Sequence, residues 1–188
     1  KRVRYTDDTA VENLEIGGRN LLIDSTQILL DYPSNTRLIY KENDYVVVQR
    51  IGTASFSCFQ FVQSHLTSLY DIINDWGQTY TLSVDVKTDV DGFKLRLDVR
   101  GGGSSQITFH TQNIPNTNNE WQRIFYIFTL PNSGNRTQIN FSLSPSIIND
   151  GDILYYKNWQ LTKGNKAPQS WTPAPEDVQA AIDAAVVK

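Results

Sequence analysis

An all-β sandwich of the jelly-roll type, followed by a short C-terminal helical connector, is the fold that the sequence predicts. Three observations predict it: short segments in which apolar and polar residues alternate, Gly, Asn and Pro punctuation between them, and a change to helical spacing after Pro173. The 188 residues suffice for one such domain with short tails. Burial at this size covers roughly 70% of the unfolded surface, so a core forms without covalent staples. Hydrophobic residues make up 39% and charged residues 20%, the balance of a globular chain and too apolar for disorder.

Each element follows from its pattern. Asn20 to Ser25, Tyr45 to Ile51 and Ser55 to Gln63 favour β structure, and Leu66 to Ile73 a short helix. The clearest strand is Tyr80-Thr-Leu-Ser-Val-Asp-Val-Lys87, with Tyr80, Leu82, Val84 and Val86 on one face and Thr81, Ser83, Asp85 and Lys87 on the other. Asp91-Gly92 signals a turn. Phe93 to Arg100 alternates again, pointing Lys94, Arg96, Asp98 and Arg100 away from the core, so the two segments are expected to form a hairpin. After Gly101-Gly-Gly103, Gln106 to Gln112 resumes the alternation. Trp121 to Leu130 puts Ile124, Tyr126, Phe128 and Leu130 on one side and Arg123, Phe125, Ile127 and Thr129 on the other. Gln138 to Leu143 and Ile153 to Thr162 complete the strands.

After Pro173-Ala-Pro175, Glu176 and Asp177 suit the positive end of a helix, and Val178, Ile182 and Val186 recur every four residues. The boundaries expected are a linker over 1–16, the sandwich over 17–173 and a helical connector or stalk start over 174–188. The opening Lys-Arg-Val-Arg and the lack of any Met suggest a piece of a longer chain. Net charge is −3 with both signs interspersed, so the concentrated basic field that nucleic acid requires is missing. No run of about 18 apolar residues offers a membrane span. Cys58 is the single cysteine, which excludes an intramolecular disulfide and any zinc spacing, and His65 and His110 stand isolated.

Two stretches go further than generic strands: Gly17-Gly-Arg-Asn-Leu-Leu-Ile-Asp-Ser25, and Tyr155 to Asp177 with its Lys-Gly-Asn-Lys-Ala and Trp-Thr-Pro-Ala-Pro-Glu-Asp runs. Together with Tyr80-Thr-Leu-Ser-Val-Asp-Val and Trp121-Gln-Arg, they resemble the carbohydrate-binding-module-like jelly-roll domains of tail, baseplate and fibre proteins of phages that infect Gram-positive bacteria. Trp159 departs from the pattern, which has a smaller aliphatic residue there. The resemblance implies a non-catalytic module of a virion's tail or baseplate, acting at the host cell surface. Its partners would be host cell-wall polysaccharide and other phage tail proteins, with the parent protein open to a trimeric state. A structural adaptor is the alternative. No cofactor is expected, though related jelly rolls often hold a structural calcium; here Asp89-Val-Asp-Gly92 and Asp150-Gly-Asp152 are short enough to be turns.

Saccharide sites pair an aromatic platform with a few placed polar groups. If Leu161 is core, alternation makes Trp159 core and turns Tyr156, Asn158 and Gln160 outward as ligand candidates. Trp76, in a loop, is a further candidate, whereas Trp121 reads as packing and Trp171 as a pin for the C-terminal segment. Asp85, Lys87, Arg96, Asp98, Arg100, His110 and Gln112 would form a mixed-charge patch if their strands are neighbours, suited to hydroxyls or to an anionic polymer. Asp85 and Asp98 on adjacent strands would mimic a glycosidase pair, but both sit among alternating surface charges, and no nucleophile elbow, zinc motif or phosphate loop is present.

Overall fold

A computed structural model describes residues 18–26, 37–52, 66, 69–101, 106–132, 136–145 and 149–186. Eight strands and two helices follow in chain order: β1 (Arg37–Glu42), β2 (Tyr45–Arg50), α1 (Leu69–Asn74), β3 (Thr79–Lys87), β4 (Phe93–Gly101), β5 (Gln106–Ile114), β6 (Gln122–Thr129), β7 (Arg136–Pro145), β8 (Ile153–Lys163) and α2 (Pro175–Val186). They form two antiparallel sheets, one of five strands in the order β1-β2-β8-β3-β6 and one of three in the order β5-β4-β7. The result is a jelly-roll β-sandwich with a short C-terminal helix, as the alternation predicts.

The core lies between the sheets. Leu82, Val84 and Val86 of β3, Leu95, Leu97 and Val99 of β4, and Ile139, Phe141 and Leu143 of β7 meet there, each almost fully buried. Because the side-chain period is two, the same strands deliver their polar residues to the two outer faces. Outward on the five-stranded sheet are Ser83 and Asp85, paired in register with Phe125 and Arg123 of β6.

Two expectations need correction, and one further strand is present. β3 and β4 are not a hairpin: the chain turns at Gly92, with φ 115°, and passes from one sheet to the other, so β4 pairs with β5 and β7. Asn20 to Ser25 does not form a strand; only Leu22 makes a bridge, to Leu66. Strand β1, for which no expectation was drawn, pairs with β2 across the Asn43-Asp44 turn, where Asn43 adopts φ 49°. The strand expected over 55–63, Cys58, His65 and the linker over 1–16 lie outside the described residues.

Candidate functional site

The strongest outward constellation sits at one end of the five-stranded sheet. Tyr155 of β8 is in register with Val47 of β2 and Lys87 of β3, and Val47 is in register with Tyr40 of β1. Trp121, one residue before β6, and Tyr45 at the start of β2 close the group: Tyr45 lies 5.8 Å from Trp121 and 5.7 Å from Tyr155, ring centre to ring centre. Two ammonium groups stand over these rings. Lys87 Nζ is 4.5 Å from the Tyr155 ring centre and 5.8 Å from that of Trp121, and Lys157 Nζ is 4.6 Å from Trp121. Such cation–ring contacts are worth about 0.5–1 kcal/mol each when exposed.

Local structure explains why these groups converge. The Asn43-Asp44 turn brings Asp44 within 2.5 Å of Lys157, and that hydrogen bond holds the Asp44 carboxyl below its ordinary range. Desolvation raises the Tyr45 phenol, and the Glu42 carboxylate adds to the effect. Trp121 is placed by the turn before it. Thr117 Oγ1 accepts from the Thr88 amide at 2.9 Å and donates to the Thr88 carbonyl at 2.9 Å, while Asn118 and Asn119 take φ values of 52° and 60°. That turn is thus tied to the end of β3 beside Lys87.

Neighbouring polar residues form a separate, intramolecular network. Arg123 donates to Asp85 at 2.7 Å, to Ser83 Oγ at 2.8 Å, to Gln160 Oε1 at 2.9 Å and to the Pro168 carbonyl at 3.1 Å. Asn158 Nδ2 donates to Asp85 at 2.8 Å, and Gln160 Nε2 donates to Thr172 Oγ1 at 3.1 Å. Gln160 is sealed, with 1% of its surface exposed.

The residues singled out in the sequence therefore do not share one surface. Lys87 lies within the ring cluster. Asp85, Asn158 and Gln160 lie beside it and are engaged by Arg123 and the C-terminal segment. Tyr156 packs inward, edge-on to Trp159, in the hydrophobic core. The cause is a β-bulge: Ser83 pairs with Gln160 but Asp85 with Lys157, so β8 carries one extra residue, and Asn158 takes it up at φ 57°. The outward set is consequently Tyr155 and Lys157, which alternation had assigned to the side of Trp159 and Leu161.

Arg96, Asp98 and Arg100 belong to β4, in the other sheet. There Asp98 is buried and accepts from Arg100 Nε at 2.7 Å. Asp85 and Asp98 thus face away from each other across the sandwich, and the carboxylate pair that glycoside cleavage requires is not assembled from them. His110 lies opposite Leu97 in β5, and its side chain lies outside the described residues. Trp76 is exposed in the turn between α1 and β3, at the far end of β3 from Lys87. Among the described residues no group of three or more His, Cys, Asp or Glu is arranged to hold a metal ion.

The two signature stretches meet as a clasp. Asn20 Nδ2 donates to Ser25 Oγ at 3.0 Å and to the Thr172 carbonyl at 2.9 Å, while its Oδ1 accepts from the Leu22 and Leu161 amides at 3.0 and 3.2 Å. Trp171 Nε1 donates to Ser25 Oγ at 3.0 Å, the Asp24 amide to Asp177 at 3.1 Å, and Arg19 pairs with Glu176. Ala174 is fully buried beneath them. These two stretches close the domain.

No protein-family model matches the chain, and no curated protein is similar to it in sequence. Solved structures share the fold. One is the N-terminal CBM22-1 and GH10 modules of Clostridium thermocellum endo-1,4-β-D-xylanase, complexed with xylohexaose, with 15% identity over 82% of this chain and 30% of that one and a TM-score of 0.52. Another is the tripod from the baseplate of bacteriophage Tuc2009, with 20% identity over 85% of this chain and 60% of that one and a TM-score of 0.51. The chain spans less than two thirds of either. The fold is therefore like that of jelly-roll domains found both in polysaccharide-binding enzymes and in a phage baseplate.

Proposed function

We propose that this chain is a non-catalytic carbohydrate-binding domain of a phage tail or baseplate protein, and that it recognises cell-wall saccharide of a Gram-positive host. One observation carries the reading: Tyr40, Tyr45, Trp121 and Tyr155 gather on one outer sheet face with Lys87 and Lys157 between them. Rings offer an apolar surface to the ring hydrogens of a sugar, and nearby charged groups fix its hydroxyls. The opening and closing stretches, and the fold shared with a xylanase module and a baseplate tripod, agree with it. Weak affinity per copy is expected, since many copies on one virion raise avidity without new contacts. Trp121→Ala and Tyr155→Ala should each weaken binding to purified host wall polysaccharide at least about tenfold, the weight of a lost stacking contact. Wild-type chain that fails to bind at high concentration would sink the reading.

A second reading, a structural adaptor, is favoured by apolar residues that face solvent. Phe125 and Ile127 of β6 are 48% and 41% exposed, and Val178 and Ile182 of α2 are 44% and 51% exposed. Val178, Ile182 and Ala185 follow the four-then-three spacing of a coiled-coil seam, which suits a trimeric parent. Replacing Phe125 and Ile127 by Ser separates the readings: it leaves saccharide binding intact and abolishes capture of a tail protein.

A further inference from the structure

We infer that the ring cluster takes a saccharide that carries fixed negative charge, a carboxylate or a phosphodiester, and that Lys87 contacts that charge. The inference rests on the reading of this face as saccharide-binding and adds the chemical class of the ligand. Two ammonium groups converge on one indole, Lys157 at 4.6 Å and Lys87 at 5.8 Å from the Trp121 ring centre. Lys157 is neutralised by Asp44 at 2.5 Å. Asp85, two residues before Lys87 on β3, is already held by Arg123 and Asn158. Glu42 stands in register with Tyr45 across the β1–β2 turn. Among the described residues Lys87 has no carboxylate partner, and its ammonium is balanced only by the faces of Tyr155 and Trp121.

This arrangement discriminates between ligands. A neutral sugar that stacks on Tyr155 must displace the ammonium 4.5 Å from that ring centre and so loses the cation–ring contact. An acidic sugar displaces it too, but offsets the lost contact with a charge-assisted hydrogen bond to the same ammonium, which is stronger than a neutral one. Like charge is also relieved, because an anion between Lys87 and Lys157 compensates the one positive charge left over after Asp44.

Four polymers test this with the chain as it stands: polygalacturonate and its carboxyl-reduced form, and a polysaccharide bearing glycerol phosphate side groups with the same backbone stripped of them. In at least one pair the charged member should bind about tenfold more tightly, the weight of one charge-assisted hydrogen bond, and lose that advantage as salt is raised. The pair that responds identifies the source of the charge. Lys87→Met should erase the difference, and Lys87→Arg should preserve it. Equal binding of charged and uncharged members in both pairs, or an unchanged preference in Lys87→Met, overturns the inference. Trp121→Ala keeps the two readings apart. Binding that Trp121→Ala weakens but charge does not affect overturns only the preference for an anion. Binding indifferent to Trp121→Ala, or no binding to any polymer, overturns the saccharide reading beneath it as well.

Discussion

Arg123 organises the outer face of the five-stranded sheet. Its side chain is 11% exposed and that of Asp85 19%, so the pair is largely removed from solvent, and the same guanidinium satisfies Ser83, Gln160 and the Pro168 carbonyl. Arg123→Met leaves Asp85 with a weaker partner set and Gln160 with an unmet acceptor. The expected cost is about 2–4 kcal/mol, a fall in Tm of about 5–15 °C by circular dichroism for a domain of this size. Lysine should not rescue it, because a point charge lacks the planar fork that reaches five acceptors. A melt within about 2 °C of wild type would show that water already screens the network. At this scale the sequence was only partly legible. Alternation put Asp85 and Lys87 on the outer face, where they are. It gave no sign that Asp85 would be spoken for by Arg123, which lies 38 residues away in the chain. Trp121, read as packing, is half-buried against Tyr45 beneath Lys87 and Lys157, and alternation gave no sign of the turn tied to Thr88 that places it there.

At the scale of elements, every strand read from a clean period of two is present, and β8 shows where that rule breaks. The extra residue at Asn158 inverts the parity of Tyr155, Tyr156 and Lys157 relative to Trp159 and Leu161, so the expected ligand face and the expected core face exchange places N-terminal to the bulge. The amides of Asn158 and Trp159 donate to the Thr26 and Ser25 carbonyls, both at 2.9 Å, which satisfies the donors that the bulge turns aside. An Asn in a run of strand formers was the available signal, because Asn tolerates the left-handed region better than other side chains. Asn158→Gly should keep the bulge and lose only the Asp85 hydrogen bond, about 1 kcal/mol in urea unfolding. Asn158→Val forces a branched side chain into φ 57° and should cost about 2–3 kcal/mol, mostly from backbone strain. Equal midpoints for the two variants would mean that the strand re-registers instead of straining.

For the whole molecule the decisive feature is closure: segments 146 or more residues apart in sequence meet at the Ser25–Trp171, Asp24–Asp177 and Arg19–Glu176 contacts. The stretches that carry the resemblance form this closure, whereas the ring cluster proposed for the ligand is drawn from β1, β2, β3, β8 and the residue before β6 and forms no contiguous motif. The clasp and the helix beyond it should differ sharply in their weight. A chain ending at Gln169 loses the Thr172 bonds to Asn20 and Gln160, the Trp171 bond to Ser25, the Asp177 cap on Asp24 and the buried Ala174. At about 1 kcal/mol net for each hydrogen bond, that truncation should cost about 4–5 kcal/mol and lower Tm by about 8–20 °C. A chain ending at Val178 keeps all of those contacts, and since no residue of α2 is buried it should melt within about 2 °C of the full chain. If the shorter truncation proved as damaging as the longer one, α2 would be packed against the sandwich, and its apolar stripe would be core instead of a surface for another protein.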